Sequence, residues 1–254
     1  MAPLLAAEAI SVHFGGVAAV QEVSFVVSPG EIVSLIGPNG AGKTTTINAV
    51  TGFVTPTAGA VWFNGKNIAG LRPERVSALG LVRTFQSTAI FASMTVANNL
   101  ATGRFLMRTT GVWQTLLRTP HYCRDERLTR VRVDELFDLL GLHARRDMLA
   151  STLPYGEQRV LGLGIALMAR PKLLLLDEPA AGLSAEETRS MGSLIRKVRR
   201  EGITVLLIEH NMPLVMSISD RIIVLKQGVK IAEGTPEAVR QHPQVIDAYL
   251  GAVA

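Results

Sequence analysis

Cysteine and long apolar runs are nearly absent from this sequence. A single cysteine, Cys123, excludes an internal disulfide and a paired-cysteine zinc module, and it fits a reducing compartment. The longest uninterrupted apolar run, residues 160–169, is too short for a membrane span, which needs about 20 residues. The first residues, MAPLLAAEAI, lack the basic segment and cleavage site of a signal peptide. We therefore expect neither a membrane span nor a signal peptide.

Apolar residues and arginine are instead in excess. Hydrophobic residues make up 48% of the chain, which indicates either a docking surface or a parallel sheet buried on both faces. The net charge is +5, and one segment holds much of the excess. That segment suits nucleic acid or anionic lipid headgroups, but a solvated helix face is the simpler interpretation. Its arginines are Arg104, Arg108, Arg118, Arg124, Arg127, Arg130 and Arg132, opposed by Asp125 and Glu126.

Three short apolar runs predict buried strands. They are EIVSLIG at residues 31–37, KLLLLDE at 172–178 and ITVLLIEH at 203–210. Helical stretches separate these runs, which indicates a parallel sheet with helices on both faces.

Capping and turn patterns place further elements. Ser184 and Glu187 match a capping box, and Gly202 follows a basic last turn, so the sequence between them predicts a helix. Residues alternate in polarity on either side of Gln227 and Gly228, which predicts a hairpin. Neither an internal repeat nor a low-complexity linker interrupts the sequence, so we expect one domain with a mostly helical insertion.

The segment GPNGAGKTT fits the phosphate-loop pattern G-x-x-x-x-G-K-[ST] directly after a predicted strand and before a helical stretch. Its glycines let the backbone wrap a phosphate, Lys43 can reach the β- and γ-phosphates, and the Thr44 hydroxyl suits Mg²⁺. The alternative is a chance glycine-rich turn. The residues predicted to contact the nucleotide are Gly37, Asn39, Gly40, Ala41, Gly42, Lys43, Thr44 and Thr45.

Two acids end the second apolar strand. Asp177 can hold the Mg²⁺ shell, and Glu178 can polarise an attacking water as a general base. Ordinary helix-capping residues are the alternative. Their combination with the phosphate loop favours catalysis of nucleotide hydrolysis.

Six motifs in this order resemble those of ABC-type ATPases and cover essentially the whole chain. The resemblance implies an α/β fold: a P-loop NTPase (RecA-like) parallel sheet core with an antiparallel β subdomain and a helical insertion. It places the core and β subdomain at residues 1–86 and 160–254 and the helical subdomain at 87–159. The motifs are GPNGAGKTT, VRTFQS, LPYGEQR, LLLLDEP, AAGLS and LLIEHNM.

The same resemblance implies residue roles, cofactors and a partner. ATP and Mg²⁺ are the expected ligands, and two subunits are expected to pair head to tail, as a homodimer or a heterodimer. Phe14 is expected to stack on adenine, Gln86 to contact Mg²⁺ and the attacking water, and His210 to contact the γ-phosphate. The alternatives are a core residue for Phe14, a surface loop residue for Gln86 and a polar strand end for His210.

Two motifs depart from the family's usual pattern. In LPYGEQR, Pro154 and Tyr155 replace a serine and a glycine, which removes a hydroxyl donor to the partner's nucleotide. The glycine and the helix start remain, so we expect a working variant that contacts nucleotide through Tyr155, Gly156 and Glu157. Ser184 replaces a common aspartate in AAGLS, which keeps a helix cap but removes a carboxylate.

Further segments resemble ATP-binding subunits of branched-chain (hydrophobic) amino acid importers. They are YGEQR, DEPAAGL, MTVANNL and GTPEAVRQHPQVIDAYLG. This resemblance implies a peripheral protein on the cytoplasmic face of the inner membrane, beneath two membrane-spanning permeases, with a periplasmic substrate-binding protein. Importers of urea, amides or aromatic acids share much of the pattern. The candidates for a permease-binding groove are Phe85, Ile90, Phe91 and Met94; core packing is the alternative.

A different class remains as an alternative. ABC ATPases that act on nucleic acid or ribosomes would explain the arginine-rich segment. Those proteins carry long coiled coils, zinc modules or two cassettes in one chain, whereas this sequence has neither heptads nor paired cysteines, and one cassette. We therefore expect no nucleic-acid partner.

Overall fold

The computed structural model describes residues 2–84, 90–104 and 119–250, and its contacts divide the chain into two compact units. The first unit combines Met1–Arg83 with Lys172–Ala254, and the second is Thr84–Pro171. Described strands, all in the first unit, are β1 (Leu5–Phe14), β2 (Val17–Val27), β3 (Ile32–Ile36), β4 (Ala58–Phe63), β5 (Lys66–Asn67), β6 (Leu81–Arg83), β7 (Leu173–Asp177), β8 (Thr204–Ile208), β9 (Arg221–Lys226) and β10 (Val229–Gly234).

Helices occur in both units. Those of the first unit are α1 (Lys43–Val50), α2 (Pro73–Ala78), α6 (Ala185–Arg200), α7 (Met212–Ile218), α8 (Pro236–Arg240) and α9 (Pro243–Leu250). Those of the second unit are α3 (Val96–Thr102), α4 (Pro120–Leu140) and α5 (Tyr155–Leu167). None of the helices in the described ranges is both long and apolar enough to cross a membrane.

The strands of the first unit form two sheets. A six-stranded sheet has the order β10-β9-β3-β8-β7-β6, in which only β10 runs antiparallel to its neighbour. A four-stranded antiparallel sheet has the order β2-β1-β4-β5. The predicted parallel core and antiparallel β subdomain are therefore confirmed.

Both faces of the six-stranded sheet are covered, which explains why its strands are continuous apolar runs. On one face, Leu35 and Leu206 belong to a buried cluster with Ile10 and Phe25 of the four-stranded sheet and Ile47 of α1. Each such buried side chain contributes roughly 1.5–3 kcal/mol of hydrophobic stabilisation.

The opposite face packs against helices that follow later in the chain. Ile222 and Val224 of β9 cluster with Val215 of α7, Val239 of α8 and Val245 of α9. The C-terminal helices are thereby fixed to the sheet that carries the phosphate loop.

The predicted helix cap and hairpin are both confirmed. At the start of α6, the Ser184 N–H donates to the Glu187 carboxylate over 2.8 Å and the Glu187 N–H donates to the Ser184 hydroxyl over 3.3 Å. Strands β9 and β10 turn at Gln227 and Gly228, whose φ angles of 49° and 80° match a two-residue hairpin turn.

The second unit is a helical cluster. In α5, Leu161 and Leu167 are fully buried, and a Cβ at Gly164 would lie 2.5 Å from a Leu140 methyl and 2.7 Å from a Leu100 methyl. Helix α5 thus packs closely on α3 and α4. This packing explains why the unit includes the whole of α5 and ends at Pro171.

Much of the arginine-rich segment is neutralised within the second unit. Ion pairs join Arg104 to Asp125 over 2.9 Å, Arg130 to Glu126 over 2.8 Å and Arg132 to Glu135 over 2.9 Å. These pairs support the interpretation of a solvated helix face. Arg124 and Arg127 are exposed, whereas Arg108 and Arg118 lie outside the described residues.

Candidate nucleotide-binding site

The predicted phosphate loop joins the end of β3 to the start of α1. Gly42 caps α1 with a φ of 94°, a left-handed conformation that favours glycine, and a Cβ there would lie 2.6 Å from the Ala19 carbonyl oxygen. At Gly37, a Cβ would lie 2.2 Å from the Leu225 carbonyl oxygen. Larger residues would therefore force neighbouring backbone apart, and the glycines bring the helix N-terminus to the cleft surface.

Lys43 lies inside this loop and is buried. Its Nζ donates to the carbonyl oxygens of Gly37 over 2.8 Å and of Pro38 over 3.0 Å. Burial lowers the pKa of Lys43, while the negative charges of Glu178 and Asp177 act in the opposite direction. The ammonium is thus held between the loop and the two acids that end β7.

An open cleft of about 490 Å³ lies beside the loop. Thr44 and Thr45 line it from α1, and residues 17–19 line it from β2. The predicted residues that the structure brings together on this surface are Asn39, Gly40, Ala41, Gly42, Lys43, Thr44, Thr45, Glu178 and His210.

Glu178 follows β7 directly and has a φ of 50°, which is unusual for a residue other than glycine. Its N–H donates to the Ile208 carbonyl over 2.9 Å, and its carboxylate is hydrogen-bonded to the His210 Nε2. Strained backbone of this kind costs about 1–3 kcal/mol and is found at functional sites. The structure therefore places a carboxylate and an imidazole in contact at the cleft.

Asp177, the last residue of β7, is paired with a residue that the sequence analysis did not identify. The Arg83 Nη2 donates to the Asp177 Oδ2 over 2.7 Å, and its Nη1 donates to the Asn48 Oδ1, also over 2.7 Å. The Arg83 guanidinium also lies over the Phe53 ring, 5.7 Å from its centroid. The sequence feature that could have identified Arg83 is its position at the end of a short apolar run, three residues before Gln86.

The oxygen donors present suit Mg²⁺ bound together with a nucleotide. Mg²⁺ is commonly held by one or two carboxylate or hydroxyl groups with substrate phosphates, rather than by a cage of protein ligands. Within the ranges that the structure describes, no group of three histidine, cysteine or acidic residues could hold a metal alone. Asp177 and Thr44 fit the arrangement in which Mg²⁺ is shared with substrate phosphates. Gln86, the third predicted metal contact, lies outside the described residues.

Phe14 is half exposed, which rules out the alternative that it is a core residue. It ends β1 and is paired with Val17, which lines the cleft from β2. An aromatic ring at this hairpin tip is available for stacking on a base.

The variant motif LPYGEQR starts α5 in the second unit. Pro154 caps the helix, Gly156 is buried, and the Tyr155 hydroxyl accepts a hydrogen bond from the Arg159 Nε over 2.9 Å. The Glu157 carboxylate accepts two hydrogen bonds from Arg145, over 2.9 and 3.2 Å. The helix start predicted for this motif is thus present, with Glu157 engaged in an ion pair.

Tyr249 of α9 lies against the phosphate loop and was not identified from the sequence. Burial raises the pKa of Tyr249 to about 12, and the backbone of Gly37 acts in the opposite direction. The C-terminal helix therefore packs against the loop from the side of β9 and β10.

Comparison with known proteins identifies the family of this chain. A family model described as ABC transporter matches residues 20–181, and one described as Branched-chain amino acid ATP-binding cassette transporter matches residues 229–254. The high-affinity branched-chain amino acid transport ATP-binding proteins LivG of Escherichia coli K12 and BraF of Pseudomonas aeruginosa are each 44% identical over 250 residues, with 98% of both chains covered.

A solved structure shares the fold over nearly the full length. The ADP conformation of MJ1267, an ATP-binding cassette of an ABC transporter, superposes with a TM-score of 0.86 and 30% identity, covering 99% of this chain and 100% of the other. The predicted family and fold are confirmed. The chain belongs to the ABC transporter family of ATPases, in the group of ATP-binding proteins for branched-chain amino acid transport.

Proposed function

We propose that this ABC ATPase binds ATP with Mg²⁺ in the cleft beside α1 and that its hydrolysis drives import of branched-chain amino acids. The observation that carries the proposal is that Lys43, Thr44, Glu178 and His210 line one cleft. The substrate class rests on the likeness to LivG and BraF, whose names give them that role.

Nucleotide binding is assigned to the phosphate loop and the β1–β2 hairpin. The backbone N–H groups of residues 39–42 and the N-terminus of α1 take the phosphates, and Lys43 adds a positive charge beside them. Phe14 stacks on adenine. Thr44, Asp177 and Gln86 would hold Mg²⁺, which would neutralise charge that develops on the phosphate oxygens.

Hydrolysis is assigned to the contact between Glu178 and His210. Glu178 accepts a proton from the attacking water, which Gln86 helps to orient. His210 holds the Glu178 carboxylate by a hydrogen bond and contacts the γ-phosphate. Because the main-chain N–H of Glu178 is bonded to Ile208 and its carboxylate to His210, this residue loses little freedom when the reaction begins.

The proposed partner at each nucleotide is a second ATPase subunit, placed head to tail. The α5 helix start offers its backbone N–H groups near Gly156 to the partner's nucleotide, with Tyr155 exposed beside it. Because Glu157 is already paired with Arg145, we assign it to shaping this helix start rather than to direct phosphate contact. One subunit then holds half of each reaction centre.

The proposed membrane partners are two permease subunits, which a periplasmic binding protein supplies. Exposed apolar side chains of the second unit support this docking: Phe91 is 52% exposed, Met94 40% and Leu149 46%. Ile90 is partly buried, and Phe85 lies outside the described residues. The chain would thus lie on the cytoplasmic face of the inner membrane, as a peripheral subunit.

The test of catalysis is Glu178→Gln, with the exposed Glu186→Gln on α6 as a matched control. We expect the first variant to bind ATP like the wild type, to lose hydrolysis and to accumulate as an ATP-bound dimer in gel filtration. Glu186→Gln should hydrolyse ATP normally. Wild-type turnover by Glu178→Gln would contradict the base assignment.

The transported substrate needs a separate experiment. The chain should copurify with its permeases, and proteoliposomes of that complex should take up leucine when ATP is present with the binding protein. Uptake of urea, an amide or an aromatic acid instead of leucine would favour a related importer. Salt-sensitive binding to DNA or ribosomes, without permease copurification, would favour the non-transport alternative.

A further inference from the structure

Glu209 is a buried carboxylate to which the proposed reaction assigns no role. It lies just after β8 and is 3% exposed. Its Oε1 accepts a hydrogen bond from the Ala180 N–H over 2.8 Å. Its Oε2 accepts from the N–H groups of His210 over 3.1 Å and Asn211 over 3.2 Å.

These donors belong to the two loops that carry the proposed catalytic pair. Ala180 lies two residues after Glu178, in the loop that follows β7, and His210 follows Glu209 in the loop after β8. Strands β7 and β8 pair in parallel as far as Asp177 and Ile208, so the two loops leave the sheet side by side. One carboxylate therefore joins them just beyond the last strand pair.

The same contacts extend to the start of α7. Asn211 caps this helix through its side chain, which accepts from the Leu214 N–H over 3.0 Å, while its own N–H donates to Glu209. Hydrogen bonds from backbone N–H to a carboxylate are roughly twice as strong as bonds between neutral groups, and they weaken steeply when misaligned. Three of them at one buried group fix the backbone of both loops.

We propose that Glu209 is a positioning residue that sets the separation of Glu178 and His210 during ATP hydrolysis. By holding Ala180, it keeps Glu178 in its left-handed backbone conformation; by holding His210 and Asn211, it keeps the imidazole against the Glu178 carboxylate. This inference rests on the catalytic roles proposed for Glu178 and His210.

The variant Glu209→Gln tests the proposal. Glutamine retains one oxygen that can accept from one loop, but its NH₂ group faces the N–H of the other loop. We expect kcat to fall roughly tenfold or more, with the Kd for ATP within about twofold of the wild type. A residue that only stabilises the fold would not separate kcat from nucleotide affinity in this way.

Amide hydrogen exchange gives a readout that does not depend on hydrolysis. In Glu209→Gln without nucleotide, exchange should accelerate roughly tenfold at Ala180 or at His210 and Asn211, and stay unchanged in the phosphate loop around Lys43. Unchanged exchange in both catalytic loops would overturn the proposal.

Glu31→Gln is the matched control. Glu31 also accepts a backbone N–H, from Ser28 over 2.8 Å, but it lies at the opposite end of β3 from the phosphate loop. This variant is expected to lose stability while keeping the wild-type kcat. If Glu209→Gln changed stability alone, as Glu31→Gln does, the proposal would be wrong.

A conservative variant and two catalytic variants separate the remaining outcomes. Glu209→Asp keeps the charge on a shorter side chain, so its kcat should lie between those of the wild type and Glu209→Gln. If Glu209→Gln does not fold, the same separation of kcat from Kd in Glu209→Asp tests the proposal. Full hydrolysis by Glu178→Gln and His210→Ala would overturn the proposed function, whereas their inactivity with wild-type kcat in Glu209→Gln would overturn this inference alone.

Discussion

The Arg83 guanidinium donates to the Asp177 carboxylate over 2.7 Å at the ends of two neighbouring parallel strands. Both side chains are nearly buried, with exposed fractions of 8% and 13%. The proposed metal ligand is therefore already neutralised by a cation of the protein, and Mg²⁺ has to share or displace that contact.

We expect Arg83→Met to remove the buried ion pair with Asp177. Removing one partner of a buried ion pair costs about 3–5 kcal/mol. The free energy of unfolding in EDTA should therefore fall by roughly that amount. Urea denaturation measures this change. Arg200→Met, at the exposed end of α6, is the control and should change stability by less than about 0.5 kcal/mol.

The same variant should bind Mg²⁺ more readily. Without the arginine, the Asp177 carboxylate attracts a cation more strongly, so the Mg²⁺ concentration for half-maximal ATP binding should fall, by roughly tenfold. A fluorescent nucleotide titrated at fixed Mg²⁺ concentrations measures the shift. An unchanged Mg²⁺ requirement would show that Arg83 does not act on the metal site.

Lys43→Ala should weaken ATP binding by about a hundredfold or more. The substitution removes a charge-assisted contact to phosphate, and it also removes the hydrogen bonds that hold the Gly37 and Pro38 carbonyls. Isothermal titration calorimetry measures the affinity, with the exposed Lys197→Ala on α6 as the control. Equal affinity of the two variants would contradict the assignment of the phosphate loop.

Local patterns in the sequence were sufficient to predict much of the core. The continuous apolar runs of β3, β7 and β8, the phosphate loop, the α6 capping box and the β9–β10 turn each depend on neighbours within a few residues. Each of these patterns determines the local structure of its own segment. The resemblance to ABC ATPases predicted how the segments are arranged in the fold.

Residues whose roles depend on distant contacts were not predicted. Arg83 faces Asp177 because β6 and β7 pair in register, although 94 positions separate the two residues. Glu209 reaches Ala180 from a separate strand for the same reason. Nothing in the neighbouring sequence distinguishes these side chains from other polar residues at strand ends. Their roles can be recognised only when the order of the strands in the sheet is known.

Tyr249 makes stability depend on pH in the alkaline range. Its pKa is raised from 10.0 to about 12 by burial, so the unfolded chain releases this proton at lower pH than the folded chain does. The stability it contributes is complete below about pH 10 and is lost as the pH rises toward 12. Because the side chain is only half buried, we expect a loss of at most about 2 kcal/mol.

Tyr249→Phe keeps the packing of α9 but removes the titrating hydroxyl. Relative to this variant, the wild type should lose stability between about pH 10 and about pH 12 in urea denaturation. Tyr122→Phe, on α4 in the second unit, serves as the control and should follow the wild type. If Tyr249→Phe lost stability in parallel with the wild type, burial of the Tyr249 hydroxyl would not be the source of this pH dependence.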